Sequence, residues 1–167
     1  GYMADVYRGQ VPAERNPAKF ALFLSFFPQI VQGPIGRYAQ LQPQLLNGNR
    51  FSPERFSKGL QWVLWGFFLK MMIADRAGII VDTVFDNWEV YTGYYVLIGG
   101  ILYSLQLYTD FSGCVHIAMG VAMLFGIELA ENFARPYFSD SISEFWRRWH
   151  MSLSTWLRDY IYIPLGG

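Results

Sequence analysis

The chain is poor in the residues that build disulfides and metal centres. Of its 167 residues only Cys114 is a cysteine, so an internal disulfide and a cysteine-based metal site are both excluded. Cys114 lies in an apolar helical stretch, where a packing role is favoured over a reactive one. His116 and His150 are the only histidines, so a metal site of any kind is poorly supported.

Charged residues are also scarce. They make up 16% of the chain, against roughly 25% in ordinary soluble domains. Hydrophobic residues reach 53% and aromatic residues 19%, which fits an integral membrane segment better than a large aromatic-rich soluble domain. The net charge is zero and no basic tail is present, so no nucleic-acid partner is expected.

Several common catalytic motifs are missing. The chain has no glycine-rich phosphate loop, no carboxylate pair at glycosidase spacing and no Gly-x-Ser-x-Gly elbow. These absences argue against nucleotide-dependent, glycosidase and serine-hydrolase chemistry.

The hydrophobic pattern predicts an all-α, polytopic membrane core with short broken or re-entrant helices. The best membrane span is 92–109, followed by a polar stretch at 110–113 that either interrupts the helix or continues it, and by a second apolar helix over 115–129. Segment 20–32 is too short to span a bilayer. Pro28 is predicted to break it, which favours a re-entrant or interfacial piece.

Ser52 and Pro53 predict a helix start, from which the chain continues as a helix to about residue 74. Segment 37–58 is otherwise predicted to be a polar connection, and 82–91 an acidic loop. No Lys or Arg occurs between Arg76 and Arg135, so the positive-inside rule places the 37–58 loop in the cytoplasm and the acidic loop outside.

The most informative stretch is 145–167, where Trp, Arg, His and Asp crowd into an apolar background. It is predicted to be one helix that begins at Ser141 or Ser143, carries Glu144 in its first turn and ends near Pro164. A continuous helix would place on one face the residues Trp146, Arg147, His150, Leu153, Ser154, Leu157 and Arg158.

His150 is the first candidate for chemistry, because histidine titrates near neutral pH and suits acid–base work. The alternative is a histidine that hydrogen-bonds a neighbour and anchors an interfacial helix. Arg147, Arg148 and Arg158 could bind an anionic group, since the guanidinium fork matches phosphate oxygens. The alternative for each is contact with lipid headgroups or pairing with Glu144 or Asp159.

Two acidic residues are further candidates, one before and one after this group. Asp110 could line a polar channel, although a helix-capping turn is the favoured interpretation. Asp159 follows Arg158 directly, so a structural ion pair is its expected role.

These residues carry a family resemblance. The run Phe145-Trp146-Arg147-Arg148-Trp149-His150-Met151-Ser152-Leu153-Ser154, followed by Trp156-Leu157-Arg158-Asp159-Tyr160, resembles the signature of the membrane-bound O-acyltransferase (MBOAT) family. Weaker matches are Asp110-Phe111-Ser112-Gly113, Gly120, Leu124-Phe125-Gly126, Asn132-Phe133, Phe27-Pro28-Gln29-Ile30, Gly33-Pro34-Ile35 and Arg37-Tyr38. The most similar branch acetylates alginate and peptidoglycan and D-alanylates teichoic acid.

The resemblance implies an O-acyltransferase of the cytoplasmic (inner) membrane with several membrane passes. Acetyl-coenzyme A or another acyl-coenzyme A would be the donor, with no bound cofactor. The acyl group would travel towards a cell-envelope polysaccharide through a periplasmic or extracellular partner protein. The implied alternatives are a non-catalytic scaffold of the same family and a transporter subunit with a buried histidine.

The resemblance also implies that the active site has two key residues, of which only one lies within residues 1–167. The Trp-His-Met-Ser context identifies His150 as the upstream active-site residue, which orients or polarises donor or acceptor, while the invariant base histidine is expected beyond residue 167. Arg147, Arg148, Ser154, Arg158 and Asp110 are the candidate donor- or substrate-binding residues. His116 stands where relatives commonly have an acid, and no catalytic role is assigned to it. Residues 1–167 are therefore expected to be the central part of a single membrane domain, truncated at both ends.

Overall fold

The structure is a computed structural model that describes all residues from Gly1 to Gly167. It contains helices and no strands, which confirms the all-α prediction. The helices are α1 (Tyr2–Tyr7), α2 (Pro17–Leu24), α3 (Phe27–Ile30), α4 (Tyr38–Leu46), α5 (Pro53–Phe67), α6 (Asp75–Asp86), α7 (Tyr94–Leu124), α8 (Ile142–Arg148) and α9 (Met151–Leu157). Two π-helical segments cover Phe68–Ala74 and Arg158–Tyr162, and two 3₁₀ turns cover Pro136–Phe138 and Ile163–Leu165.

Helix α7 is a single helix of 31 residues, and it is the one helix long and apolar enough to cross a bilayer. At roughly 1.5 Å per residue it is about 46 Å long. Of the two alternatives at 110–113, the structure shows the continuous helix, because α7 runs straight through the polar residues. The separate helix predicted over 115–129 is wrong, since α7 includes its first part and ends at Leu124.

The continuity of α7 at Asp110 has a physical cause. The ammonium of Lys70 lies 2.5 Å from a carboxylate oxygen of Asp110 and 2.8 Å from one of Asp75. Because a cation from a neighbouring segment compensates the carboxylate, Asp110 has no need to end the helix. The helix-capping turn expected at this position is therefore wrong.

Helices α5 and α7 cross at two pairs of glycines. A Cβ atom built on Gly66 would lie 2.5 Å from the carbonyl oxygen of Gly113, and one built on Gly120 would lie 2.6 Å from that of Gly59. Only glycine allows backbones to approach this closely, a type of contact common between helices in lipid. The crossing fixes α7 against the α5–α6 arm.

That arm is longer than predicted. The helix that starts at Ser52 does so as expected, with the Ser52 hydroxyl accepting a hydrogen bond from the Arg55 amide at 3.4 Å. It then continues through the π-helical segment into α6 and ends at Asp86. The predicted acidic loop over 82–91 is therefore half helix.

The amino-terminal segments are short helices with breaks. The break in segment 20–32 falls at Ser25 and Phe26, and Pro28 lies in the first turn of α3, where a proline needs no amide partner. Pro28 as the breaking residue is therefore wrong. The predicted 37–58 connection contains α4, which includes Pro43.

A small apolar core joins these pieces to the end of α7. It contains Val11, Phe23, Phe26, Tyr38, Leu41, Ala122 and Ile127. From this core the chain leaves through an irregular stretch, 125–141, which leads to α8 and α9 and carries Asn132 between them and α7.

Candidate functional site

The signature stretch is two helices rather than one. Helix α8 ends at Arg148, Trp149 is extended, and His150 has φ +43° and ψ +54°, a left-handed conformation, before α9 begins at Met151. The predicted single helix and its common face are therefore wrong. The break separates Trp146 and Arg147 from Leu153, Ser154 and Leu157, and it leaves His150 at the joint.

The start of α8 agrees with the prediction. Ser141, not Ser143, is the N-cap, and its hydroxyl accepts a hydrogen bond from the Glu144 amide at 3.1 Å. The Glu144 carboxylate in turn accepts a hydrogen bond from the Asp140 amide at 2.9 Å and pairs with Arg148. Both contacts lower the pKa of Glu144, the Asp140 amide more strongly.

Asn132 holds the joint at His150. Its backbone carbonyl accepts from the Met151 amide at 3.0 Å, and its side-chain Oδ1 accepts from the Ser152 amide, also at 3.0 Å. The His150 side chain provides no cap of its own, so Asn132 caps α9 from a distant loop. The same Oδ1 lies 3.3 Å from Nδ1 of His150.

Aromatic rings surround the joint. The rings of Phe111, on α7, and His150 form a T-shaped contact, with centroids 4.8 Å apart and planes at 84°. Phe133 contacts both Phe111 and Trp149, and Trp149 stacks on Phe145. Burial among these rings lowers the pKa of His150, so the neutral imidazole is favoured near pH 7.

The three arginines have different surroundings. Arg148 pairs with Glu144 and donates to the Phe138 carbonyl at 3.1 Å. Its surroundings therefore match the alternative of a structural ion pair rather than a free anion-binding group. Arg158 donates to Asp159 at 2.9 Å but stays exposed. Arg147 is exposed and has one long contact, 3.4 Å to the Ser143 hydroxyl. Arg147 therefore keeps the most freedom to bind an anion.

Asp159 forms the ion pair expected of it, and with more than its neighbour. Besides Arg158, its carboxylate binds the Arg37 guanidinium at 2.7 Å, which ties the segment after α9 to the start of α4. Arg158 and Arg37 together lower the pKa of Asp159, the hydrogen bond from Arg158 most strongly.

The remaining candidates are engaged within the chain. The Ser154 hydroxyl donates to the Trp149 carbonyl at 3.3 Å, and Asp110 is paired with Lys70. The second histidine, His116, stacks on Trp62 with centroids 4.9 Å apart and contacts Ser112, inside α7. No group of three His, Cys, Asp or Glu side chains is arranged to hold a metal ion.

A cavity of about 320 Å³ lies elsewhere in the chain. It is bounded by Asp5, Arg37, Tyr38, Trp156 and Tyr160 among others, and His150 is not part of its lining. The site within the chain is therefore His150 at the helix joint, with Asn132 behind its Nδ1 and Phe111 in T-shaped contact with its ring.

Sequence reasoning missed Asn132 and Phe111 as parts of this site. Both lie in stretches that match the family pattern, but Asn132 is in a segment interpreted only as a polar joint. The available signal was a polar residue next to Phe133 and shortly before Pro136. This pattern does not show which helix Asn132 caps.

The chain is similar in sequence to a family of known proteins. The sequence profile of the MBOAT, membrane-bound O-acyltransferase family matches residues 12–167. A probable alginate O-acetylase AlgI of Pseudomonas syringae pv. tomato is 46% identical over 166 residues, which are 99% of this chain and 32% of that protein.

Two less similar relatives also match most of this chain and a minor part of their own length. A peptidoglycan O-acetyltransferase of Helicobacter pylori is 40% identical over 89% of this chain and 28% of its own length. A teichoic acid D-alanyltransferase of Bacillus subtilis is 34% identical over 84% of this chain and 36% of its own length. The chain thus spans about a third of the relatives it matches. The profile match over nearly the whole chain confirms the predicted resemblance: the chain belongs to the membrane-bound O-acyltransferase family.

Proposed function

We propose that this chain supplies part of the active site of a membrane-embedded O-acyltransferase. The observation that carries the proposal is His150, a half-buried imidazole held in a left-handed joint within the family's signature stretch. A non-glycine residue in this conformation costs roughly 1–3 kcal/mol, and such strain concentrates at functional sites.

The relatives' names suggest the substrate class. They are named for acetylation of alginate and peptidoglycan and for D-alanylation of teichoic acid, all cell-envelope polymers. The acetylating relatives have the higher identities. We therefore favour O-acetyl transfer from acetyl-coenzyme A towards an extracytoplasmic polysaccharide, as in alginate biosynthesis, through a periplasmic or extracellular partner protein.

The chemistry follows from the groups involved. An acceptor hydroxyl attacks the thioester carbonyl, its proton passes to a base, and the coenzyme A thiolate leaves. In this proposal the base is a second histidine, outside residues 1–167, and His150 orients or polarises a reactant beside it. Exclusion of water by the bilayer and by the aromatic rings limits hydrolysis of the thioester.

The donor's phosphates need cations at the site entrance. Arg147 and Arg158 are exposed and close in sequence to His150, so we assign them to the donor phosphates, Arg147 first. Arg148 is a weaker candidate because Glu144 occupies it. Ser154 and Asp110 stay proposed contacts, although each already has a partner within the chain.

We further propose that the protein crosses the inner membrane several times and that residues 1–167 are the central part of one membrane domain. Support comes from α7, whose first half exposes large apolar side chains, including Leu97 at 68% and Ile101 at 62%. Lipid or the further two thirds of a protein as long as its relatives would cover such a face.

The experiment compares two histidine variants of the full-length protein. Membranes from a bacterial strain that lacks its own alginate O-acetylase receive radiolabelled acetyl-coenzyme A and alginate, and ester-linked label is counted. His150→Ala is expected to reduce transfer at least about 100-fold, as loss of an active-site histidine does. His116→Ala, the matched control, is expected to retain most of the activity.

Membrane insertion of both variants is checked by carbonate extraction. Normal transfer by an inserted His150→Ala protein would remove this residue from the mechanism. Absence of transfer in the unaltered protein, with every donor and acceptor tried, would favour a non-catalytic scaffold.

A further inference from the structure

The oxygen and the nitrogen of the Asn132 side-chain amide differ in their hydrogen bonding. The residue is 1% exposed, its Oδ1 serves two neighbours, and its Nδ2 has no hydrogen-bonding partner in the chain. A buried amide nitrogen without a partner is costly, so a residue that retains one calls for a reason.

The orientation of the Asn132 amide follows from its neighbour. The Ser152 backbone amide can only donate, so the atom 3.0 Å away must be the oxygen of Asn132 and not its nitrogen. The atom that faces Nδ1 of His150 at 3.3 Å is this same oxygen. An oxygen accepts, so a hydrogen bond between them requires Nδ1 of His150 to carry the proton.

We propose that Asn132 is a positioning residue that selects the Nδ1-protonated form of neutral His150 and leaves Nε2 as its hydrogen-bond acceptor. Nε2 has no partner within the chain. An unprotonated nitrogen accepts a hydrogen bond from a hydroxyl, whereas it repels a carbonyl oxygen. His150 therefore orients the acceptor hydroxyl and does not polarise the thioester carbonyl.

This inference rests on the proposed function and narrows it, because the family pattern left both roles of His150 open. Asn132 reaches the ring through the cap of α9, so one residue sets the backbone joint and the proton position together. An aspartate would satisfy the same contacts without an unpartnered nitrogen, but its charge would stabilise the imidazolium and remove the acceptor.

Charged groups on the elements around His150 have partners or lie in solvent. Asp110 on α7 pairs with Lys70, Arg148 on α8 with Glu144, and Arg37 with Asp159 beyond α9. The others, all exposed, are Glu128, Glu131, Arg135, Asp140, Arg147 and Arg158. Burial is accordingly the cause of the lowered His150 pKa, and a new carboxylate at 132 would dominate its titration.

The first test needs no catalysis. The full-length protein is labelled with ¹⁵N-histidine, and the His150 signals are identified by their loss in His150→Ala. Above the pKa of the ring, we expect Nδ1 to show the shift of a protonated nitrogen and Nε2 that of an unprotonated one. The reverse assignment would overturn the inference and leave the proposed acyltransferase activity untouched.

The second test is the pH profile of acetyl transfer in the membrane assay. Asn132→Asp keeps both acceptors, so α9 stays capped, but it raises the pKa of His150 and protonates Nε2. We expect at least about fivefold slower transfer at pH 7, recovery at higher pH, and an acid limb shifted up by about one unit or more. Asn87→Asp, the same change at the exposed end of α6, is the control and should leave the profile in place.

The pH profile of acetyl transfer distinguishes a positioning role of Asn132 from a purely structural one. A purely structural Asn132 predicts an unshifted acid limb in Asn132→Asp, and that result would overturn the inference. Faster transfer by Asn132→Asp at low pH would also overturn it, because it would show His150 acting as a donor. If transfer survives His150→Ala, His150 has no part in the reaction and the inference fails with it. If the unaltered protein shows no transfer, the proposed function itself fails.

Discussion

At the residue scale, the site depends on atoms that hold one imidazole. Asn132 supplies two acceptors to the start of α9, and Phe111 makes a T-shaped contact with the His150 ring. None of these contacts is local in sequence: Asn132 lies 20 positions before Ser152, and Phe111 lies on a different helix from His150. The sequence motif identifies His150 as a candidate, but it does not predict the residues that contact it.

Arg147 is the residue whose charge is most available to a donor. Replacing it with Gln is expected to raise KM for acetyl-coenzyme A about tenfold with a smaller change in kcat, because a charge-assisted contact to phosphate is lost. Steady-state kinetics of the full-length protein in membranes measures this. Arg76→Gln removes the same charge from α6 and should leave KM unchanged; equal values for the two variants would exclude Arg147 from donor binding.

At the element scale, the close crossing of α5 and α7 sets the frame for the site. Phe111 lies two residues before Gly113, whose carbonyl meets Gly66, so the position of this ring depends on the crossing. The partners of the α7 glycines on α5 are visible only in three dimensions.

Gly66→Ala is expected to destabilise the protein by about 1–3 kcal/mol, because the added methyl group would overlap the Gly113 carbonyl. Thermal unfolding of the full-length protein in detergent measures the change. Gly100→Ala is the matched control within α7, since a Cβ there meets no atom within 4 Å, and its stability should be unchanged or higher. An unaltered midpoint for Gly66→Ala would refute the close crossing.

Helix starts were predictable, whereas breaks and joins were not. Ser52 and Ser141 cap their helices as the local pattern indicates, because a cap depends on residues three positions away. The break at His150 contains neither glycine nor proline and depends on Asn132. The continuity at Asp110 depends on Lys70. Both outcomes are decided by partners distant in sequence, which periodicity does not report.

At the scale of the whole molecule, the chain is about a third as long as its relatives, and His150 lines neither its 320 Å³ cavity nor its 370 Å³ cavity. The proposed reaction chamber therefore needs other parts of the protein around the α8–α9 joint. The base histidine expected beyond residue 167 is one such part.

Residues 1–167 alone are expected to show no acetyl transfer, because the proposed base is outside them. Liposomes that contain this segment, labelled acetyl-coenzyme A and alginate test the prediction against full-length protein prepared in the same way. Turnover by the segment would contradict the division of the active site between two histidines.

The most direct measurement is a structure of the full-length protein in lipid nanodiscs with a non-hydrolysable acetyl-coenzyme A bound. We predict that a water-accessible passage reaches His150, with Nε2 facing the place from which an acceptor hydroxyl would attack the acyl carbon. An imidazole packed against lipid, with no route to it from either aqueous side, would contradict it.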